Sequence, residues 1–313
     1  METGFVWWFI LVILILFLIT KWLKSNHISK VDLLNELAAS YLSEGAYEKA
    51  LPLFEEVIKI REGTLGTKHP SYAASLNNLA NLYHSQGEYY KALLLYTQAL
   101  QIYEQIYGRN HPEVATILNN LAELYHMQEE YDKAELLFQE SLKIREQCLG
   151  KQHPNYANSL NNLGCLYQTQ GENSIALSLY TQALQIYEKV YGRNHLEVAS
   201  TLGNLALLHY ALGENEKALI YLIYQLNIKE QILGRHHTSY LVNSFILAEV
   251  CRSLNNLAEE HYSLGEYEEA LRLYEQVLQA TEQVIGENSN SVLVPKQNCE
   301  KCRMKMLVRD KLA

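Results

Sequence analysis

The sequence predicts an all-α protein: a solenoid of stacked helical hairpins preceded by one N-terminal transmembrane helix. Three observations predict it. The pentapeptide Leu-Asn-Asn-Leu-Ala or a near copy recurs at residues 34, 76, 118, 160 and 202, a fixed period of 42. Each period holds two apolar stripes at helical spacing. Ahead of the repeats, residues 3–20 carry no charged side chain.

The apolar lead comes first in the chain. Phe5 to Ile19 is almost wholly aliphatic or aromatic, and 18 residues of helix span about 27 Å, near the thickness of a bilayer core. All three tryptophans lie here, Trp7 and Trp8 at one end and Trp22 at the other, as aromatic belts at two interfaces require. A cleaved signal peptide calls for a positive charge before the apolar run and small residues after it. Here Glu2 precedes the run, and Lys21, Trp22, Leu23 and Lys24 follow it. Residues 1–26 are therefore expected to be an uncleaved anchor spanning the membrane at about 4–23, with a short basic flank. Lys21, Lys24 and Lys30 follow the span, so the positive-inside rule places the repeats in the cytoplasm as the soluble part of a single-pass membrane protein.

One unit shows the logic of the repeats. Leu76, Leu79, Ala80 and Tyr83 fall at i, i+3, i+4 and i+7, one stripe on a helix that Gly87 ends. A second stripe runs through Ala92, Leu95, Tyr96, Ala99, Leu100, Ile102, Tyr103 and Ile106 until Gly108. The next helix is announced by His111-Pro112, with proline suited to a first turn. A hairpin of this size cannot bury both stripes alone, so copies must stack around one core. Six are expected in residues 27–286: 27–68, 69–110, 111–152, 153–194, 195–236 and 237–286. The last holds ten extra residues, since Gly234 to Gly286 is an interval of 52 where the other inter-unit glycines are 42 apart. Its extra residues fall within Tyr240 to Arg252 and leave two registers, with Leu247-Ala248 fitting the pattern counted from His237 and Leu254 to Ala258 fitting it counted from Gly265. Ten residues put the two about 80° out of phase, which fits a long helix, a broken one or a separate short one. Residues 287–313 form a basic tail that is either a capping helix over the last repeat or a segment that touches anionic lipid.

A second period hides at 84. LYTQALQIYEQIYGRNHPEVA at 95–115 returns as LYTQALQIYEKVYGRNHLEVA at 179–199. Duplication by pairs suits a scaffold lengthened by units.

Charge and cysteine usage narrow the function. The chain carries −9, of which residues 1–26 contribute +1 and residues 287–313 contribute +3, leaving −13 on the repeats. An acidic solenoid repels phosphates, which excludes nucleic acid as a partner. Five scattered cysteines, Cys148, Cys165, Cys251, Cys299 and Cys302, form no disulfide framework and point to a reducing compartment.

No catalytic constellation is present: the chain has no phosphate loop, nucleophile elbow or H-E-x-x-H. The ladder His69, His111, His153, His195 and His237 cannot share a metal, because equivalent helices are too far apart for ligands about 2.1 Å from one ion. Each histidine instead precedes a helix, where its ring can accept from a free backbone N–H. Cys299-x-x-Cys302 is a lone pair without the partners of a closed metal site. No enzyme activity, metal, cofactor or small-molecule substrate is expected.

What remains is a surface. With Leu76, Leu79, Ala80 and Tyr83 facing the core, Asn77, Asn78, Asn81 and His84 point roughly the other way. Stacking aligns them with Asn35, with Asn119, Asn120 and His126, with Asn161, Asn162 and Gln168, with Asn204 and Tyr210, and with Asn255, Asn256 and Tyr262. An amide both donates and accepts, so such a column can hold the backbone of an extended peptide. The second asparagine of each pair lies nearer the next unit and serves equally well to bond it, whereas the first favours the groove.

These units resemble tetratricopeptide repeats of the 42-residue kind found in kinesin light chains. The resemblance rests on Leu-Asn-Asn-Leu-Ala, on Gly-Glu-Tyr at Gly87 to Tyr89 and Gly265 to Tyr267, on the Ala-Leu of the second helix, and on Leu-Gly-x-x-His-Pro at Leu65 to Pro70 and Leu149 to Pro154. It implies a right-handed superhelix of about six tetratricopeptide repeats whose concave face, lined by first helices, holds peptide segments of partner proteins. The motor-associated members carry a coiled coil where this chain has its apolar lead, so binding to a kinesin motor is not implied. Chaperone-binding relatives clamp a carboxylate with lysine and arginine, where this face is asparagine-rich with Arg252 as its one obvious cation. The expected function is a membrane-anchored peptide-binding scaffold. The alternative is an assembly factor at a membrane complex, acting through its convex face or the insertion in unit six.

Overall fold

The computed structural model describes residues 30–286 and 290–312. Every regular element among them is an α-helix: α1 (30–43), α2 (Tyr47–Leu65), α3 (Pro70–Ser85), α4 (Tyr89–Tyr107), α5 (Pro112–Met127), α6 (Tyr131–Leu149), α7 (Pro154–Thr169), α8 (Asn173–Tyr191), α9 (Leu196–Ala211), α10 (Asn215–Leu233), α11 (Thr238–Ser263), α12 (Tyr267–Ile285) and α13 (Asn290–Leu312). They form two compact units, one running to Cys148 and the other from Leu149. Within each, helices adjacent in sequence pair and stack.

A first helix of the repeat carries two stripes with different partners. In the first unit, Ala73, Leu76 and Ala80 of α3 cluster with Ala92, Tyr96 and Ala99 of α4, its own hairpin partner. Leu79 and Leu82, about 100° round the helix, cluster instead with Ala50 and Phe54 of the preceding α2. The second unit repeats the arrangement. Ala206 of α9 joins Ala218 and Leu222 of α10, while Leu205 and Leu208 join Ala176 and Tyr180 of α8. Small residues on the inner stripe let the backbones approach. On α1 the stripe equivalent to Leu79 is open: Leu37 is 45% exposed, against 7% or less at Leu79, Leu121, Leu163, Leu205 and Leu247.

Helix ends follow from local chemistry. His69, His111, His153, His195 and His237 each accept through Nδ1 from the backbone N–H two residues on, at 3.1–3.2 Å, which satisfies one of the donors a helix start leaves free. The ladder is thus a series of caps, as its position before each helix implies. The second helix α4 ends at Gly108, whose φ of 78° lies in the left-handed region where glycine carries no Cβ penalty.

The insertion lies wholly inside α11, an unbroken helix of 26 residues where α3, α5, α7 and α9 have 16. Its buried residues explain the continuity. Asn243 bonds Lys229 and Gln225 of the preceding helix α10, Tyr240 donates from its hydroxyl to Val284 O of α12 at 3.4 Å, and Leu247, Val250, Cys251, Leu254 and Ala258 share one cluster with residues of both α10 and α12. The two stripes are normally about 100° apart, and ten residues turn the helix back by about 80°. They therefore merge into one line, along which α11 packs against both neighbours. The unused half of each stripe is left open, so Leu241 and Leu257 are exposed.

α13 packs on α12. It buries Val292, Cys299 and Cys302, and Arg303 pairs with Glu275 at 2.7 Å.

The membrane expectation is corrected. Among the described residues no helix is long and apolar enough to cross a membrane, because every helix that buries an apolar stripe also carries a polar face. The span expected at about 4–23 lies outside the described residues. The transmembrane helix, and the single-pass, cytoplasm-facing placement built on it, are therefore unsupported.

Candidate peptide-binding face

The asparagines expected on the first helices form a ladder of side-chain amides. Asn78 on α3 donates from Nδ2 to Oδ1 of Asn35 on α1 at 3.0 Å. Asn120 on α5 donates to Asn77 Oδ1 at 2.8 Å and to Asn81 Oδ1 at 3.3 Å. In the second unit Asn204 on α9 donates to Asn161 on α7 at 3.2 Å. Each rung joins residues 43 apart: the second amide of one unit donates to the first amide of the unit before. This pattern staples successive first helices, and it spends the oxygens of Asn35, Asn77 and Asn161. The Nδ2 groups of Asn35, Asn77 and Asn161 have no protein acceptor among the hydrogen bonds of the described residues, and all three side chains are partly exposed.

The flanking positions complete the face. Asn81 accepts from the hydroxyl of Tyr96 at 2.6 Å, and Gln168 accepts from Tyr180 at 2.8 Å; the two tyrosines stand 84 residues apart, but Gln168 is the equivalent of His84 and Cys165 that of Asn81. Burial raises the pKa of both tyrosines, keeping them protonated as donors. His84 and His126, half-buried, are held below the usual histidine value by burial, so they are neutral at pH 7 and add no charge. Their rings lie 5.9 Å from those of Tyr89 and Tyr131. Asn162 is partly buried, and Asn256 and Tyr210 are exposed.

Asn119 does not join the open face. It is 2% exposed; its Nδ2 donates one turn along α5 to Glu123 at 2.8 Å, and its Oδ1 is buried without a hydrogen-bond partner among the described residues. Gly203 interrupts the column differently. It stands where the other units have their first asparagine, and the amide of Gln225 occupies the space that a Cβ would fill.

Sequence reasoning missed a cleft beside α11. It has a volume of about 290 Å³ and is walled by Leu247 and Cys251 of α11, Val277 and Val284 of α12 and Pro295 of α13, with Asn255 and Arg252 at its edge. The two registers of α11 are its signal, since merging two stripes onto one line must leave part of another face without a partner. Among the described residues no group of three histidine, cysteine or acidic side chains is placed to hold a metal ion.

Tetratricopeptide-repeat family models match residues 30–105, 73–147, 137–189 and 175–223, and another matches 250–291. The chain belongs to the tetratricopeptide-repeat family, whose fold is a scaffold for protein–protein interaction. Among solved structures it is similar to a variant of a putative kinesin light chain with nearly identical TPR-like repeats from Podosopora anserina, at 27% identity over 66% of this chain and 97% of that one, with a TM-score of 0.50. BtubC (BKLC) from P. vanneervenii shares the fold at 20% identity, over 82% of this chain and 94% of that one, with a TM-score of 0.52. Aspartyl phosphate phosphatase F from Bacillus subtilis shares it at 16%, over 84% and 73%, with a TM-score of 0.53. No curated protein matches the chain.

Proposed function

We propose that the chain is a scaffold that binds extended peptide segments of partner proteins across the asparagine-lined groove of its first helices. The observation that carries this reading is the polarity of the ladder: Asn35 and Asn77 in one unit and Asn161 in the other accept through oxygen and keep an amide N–H₂ for a ligand. A peptide laid along the amides of either unit offers backbone carbonyls as acceptors, and amide-to-carbonyl bonds hold a backbone without reading its side chains. The neutral histidines and the exposed Tyr210 and Asn256 also lie on first helices of the repeats and would contribute contact area.

The test separates binding from stacking. Asn77→Asp with Asn161→Asp keeps the oxygen that the ladder needs and removes only the outward donors. Peptides selected by the full chain from a displayed random library should bind this double variant at least about tenfold more weakly, the worth of one or two hydrogen bonds. Helical content and melting should stay as in the parent. Equal binding by parent and variant would refute the groove.

A second reading places the partner on the insertion in unit six, and one observation favours it: Phe245 is 67% exposed and Leu241 53%, one turn apart on α11. Phe245→Ser with Leu241→Ser should then abolish capture that the asparagine variant leaves intact.

A further inference from the structure

We propose that the cleft beside α11 is a side-chain pocket that takes one bulky apolar residue of the bound peptide, whose own backbone N–H is accepted by Asn255 Oδ1. The inference rests on the peptide-binding reading and adds to it a specificity site. Three features lead there. The walls are apolar, with Leu247, Val277, Val284 and Pro295 meeting around a volume of about 290 Å³. That is at the lower edge of the roughly 300–1,000 Å³ of small-molecule sites, a size suited to one side chain rather than a cofactor.

Second, Asn255 is the place where the ladder ends. Its equivalents Asn35, Asn77 and Asn161 each accept from the next unit, and Asn119, whose oxygen is also unpartnered, lines no such cleft among the described residues. Asn255 Oδ1 is buried with no hydrogen-bond partner among the described residues. A buried acceptor left empty carries its full desolvation cost, so a donor brought by a ligand relieves a standing penalty.

Third, that donor selects the form of the ligand. Helix N–H groups beyond the first turn are spent internally, whereas an extended strand presents N–H groups and alternate side chains together. A single residue of an extended segment can thus place its side chain against Leu247 and its N–H on Asn255. Arg252 at the rim is paired with Glu249 at 2.8 Å, which leaves the entrance close to neutral and suits an uncharged anchor.

The experiment takes peptides selected by the full chain from a displayed random linear library. They should share a bulky apolar residue. Ala248→Phe, an exposed position on the cleft edge, should weaken them at least about tenfold by filling the pocket, and Asn255→Leu by up to about tenfold. N-methylation of the apolar residue should weaken binding to the parent but not to Asn255→Leu, a coupling that a merely structural asparagine would not show. Circular dichroism verifies that both variants fold. The proposal is overturned if no peptide is enriched, if the enriched peptides lack an apolar anchor, or if Ala248→Phe binds as the parent does. It is also overturned if the parent is a dimer that Ala248→Phe converts to monomer, since a second copy then fills the cleft. Loss in the Asn77/Asn161 variant without loss in Ala248→Phe removes this pocket and keeps the groove; the reverse removes the groove and keeps the pocket.

Discussion

Single residues in this chain are best judged against their equivalents in the other units. The turn between the helices of a hairpin has glycine at Gly45, Gly87, Gly171, Gly213 and Gly265, with φ of 74–82°. In the third unit the same place holds Glu129, at φ 62°. A side chain with a Cβ costs about 1–2 kcal/mol there, and nothing in the turn needs the carboxylate for packing, since Glu129 is exposed. Glu129→Gly should therefore raise stability by about 1 kcal/mol, part of the gain being returned to the freer unfolded chain. Urea unfolding measures it, and a loss of stability would show that the turn is not the source of strain. The converse case is Asn119. Its place in the repeated pentapeptide suggests the open face, yet the helix wheel indicates only the direction of the Cα–Cβ bond. Whether the amide turns outward or back to Glu123 is decided by a neighbour one turn along, which varies between units.

At the scale of elements, the hairpins were legible because two stripes at a period of 3.6 and a glycine at each end leave little choice of structure. Leu76 with Ala80, and Leu79 with Leu82, are visible in the sequence as one broad stripe; only packing divides them between two partners. That division is what makes α11 intelligible, and its absence from periodicity alone is why a break or a separate helix stays equally open there. Residues 241–250 are the extra turns. Removing them joins Thr238-Ser239-Tyr240 to Cys251-Arg252-Ser253-Leu254, which restores the 16-residue pattern of α3. Leu257, 39% exposed in the full chain, then takes the position of Leu205, which is buried against the preceding helix. Leu257→Ala should cost well under about 1 kcal/mol in the full chain but about 2–5 kcal/mol in the shortened one. Equal costs in the two backgrounds would mean that the stripes do not behave as separate docking lines. The same deletion removes the cleft walled by Leu247, so peptides that depend on an apolar anchor should be lost with it.

For the molecule as a whole, charge and hydrogen bonding should act on different steps of binding. The chain carries −9 at pH 7, and its basic end does little to offset this locally. Arg303 and Arg309 of α13 are paired with Glu275 and Glu268 of α12, so that end shows a neutralised contact more than a basic patch. The proposed groove offers uncharged amides and neutral histidines. Long-range attraction from an acidic body speeds the arrival of basic segments and is screened over about 10 Å at 0.1 M salt. Short amide bonds and an apolar anchor govern departure and respond weakly to salt. Selected peptides flanked by lysine should therefore associate faster than the same peptides flanked by glutamate, with the difference shrinking as salt rises and the dissociation rates staying nearly equal. Stopped-flow measurements at several salt concentrations would decide the matter. Dissociation that quickens steeply with salt while association stays constant would place charge inside the bound interface and count against a face built from neutral asparagines.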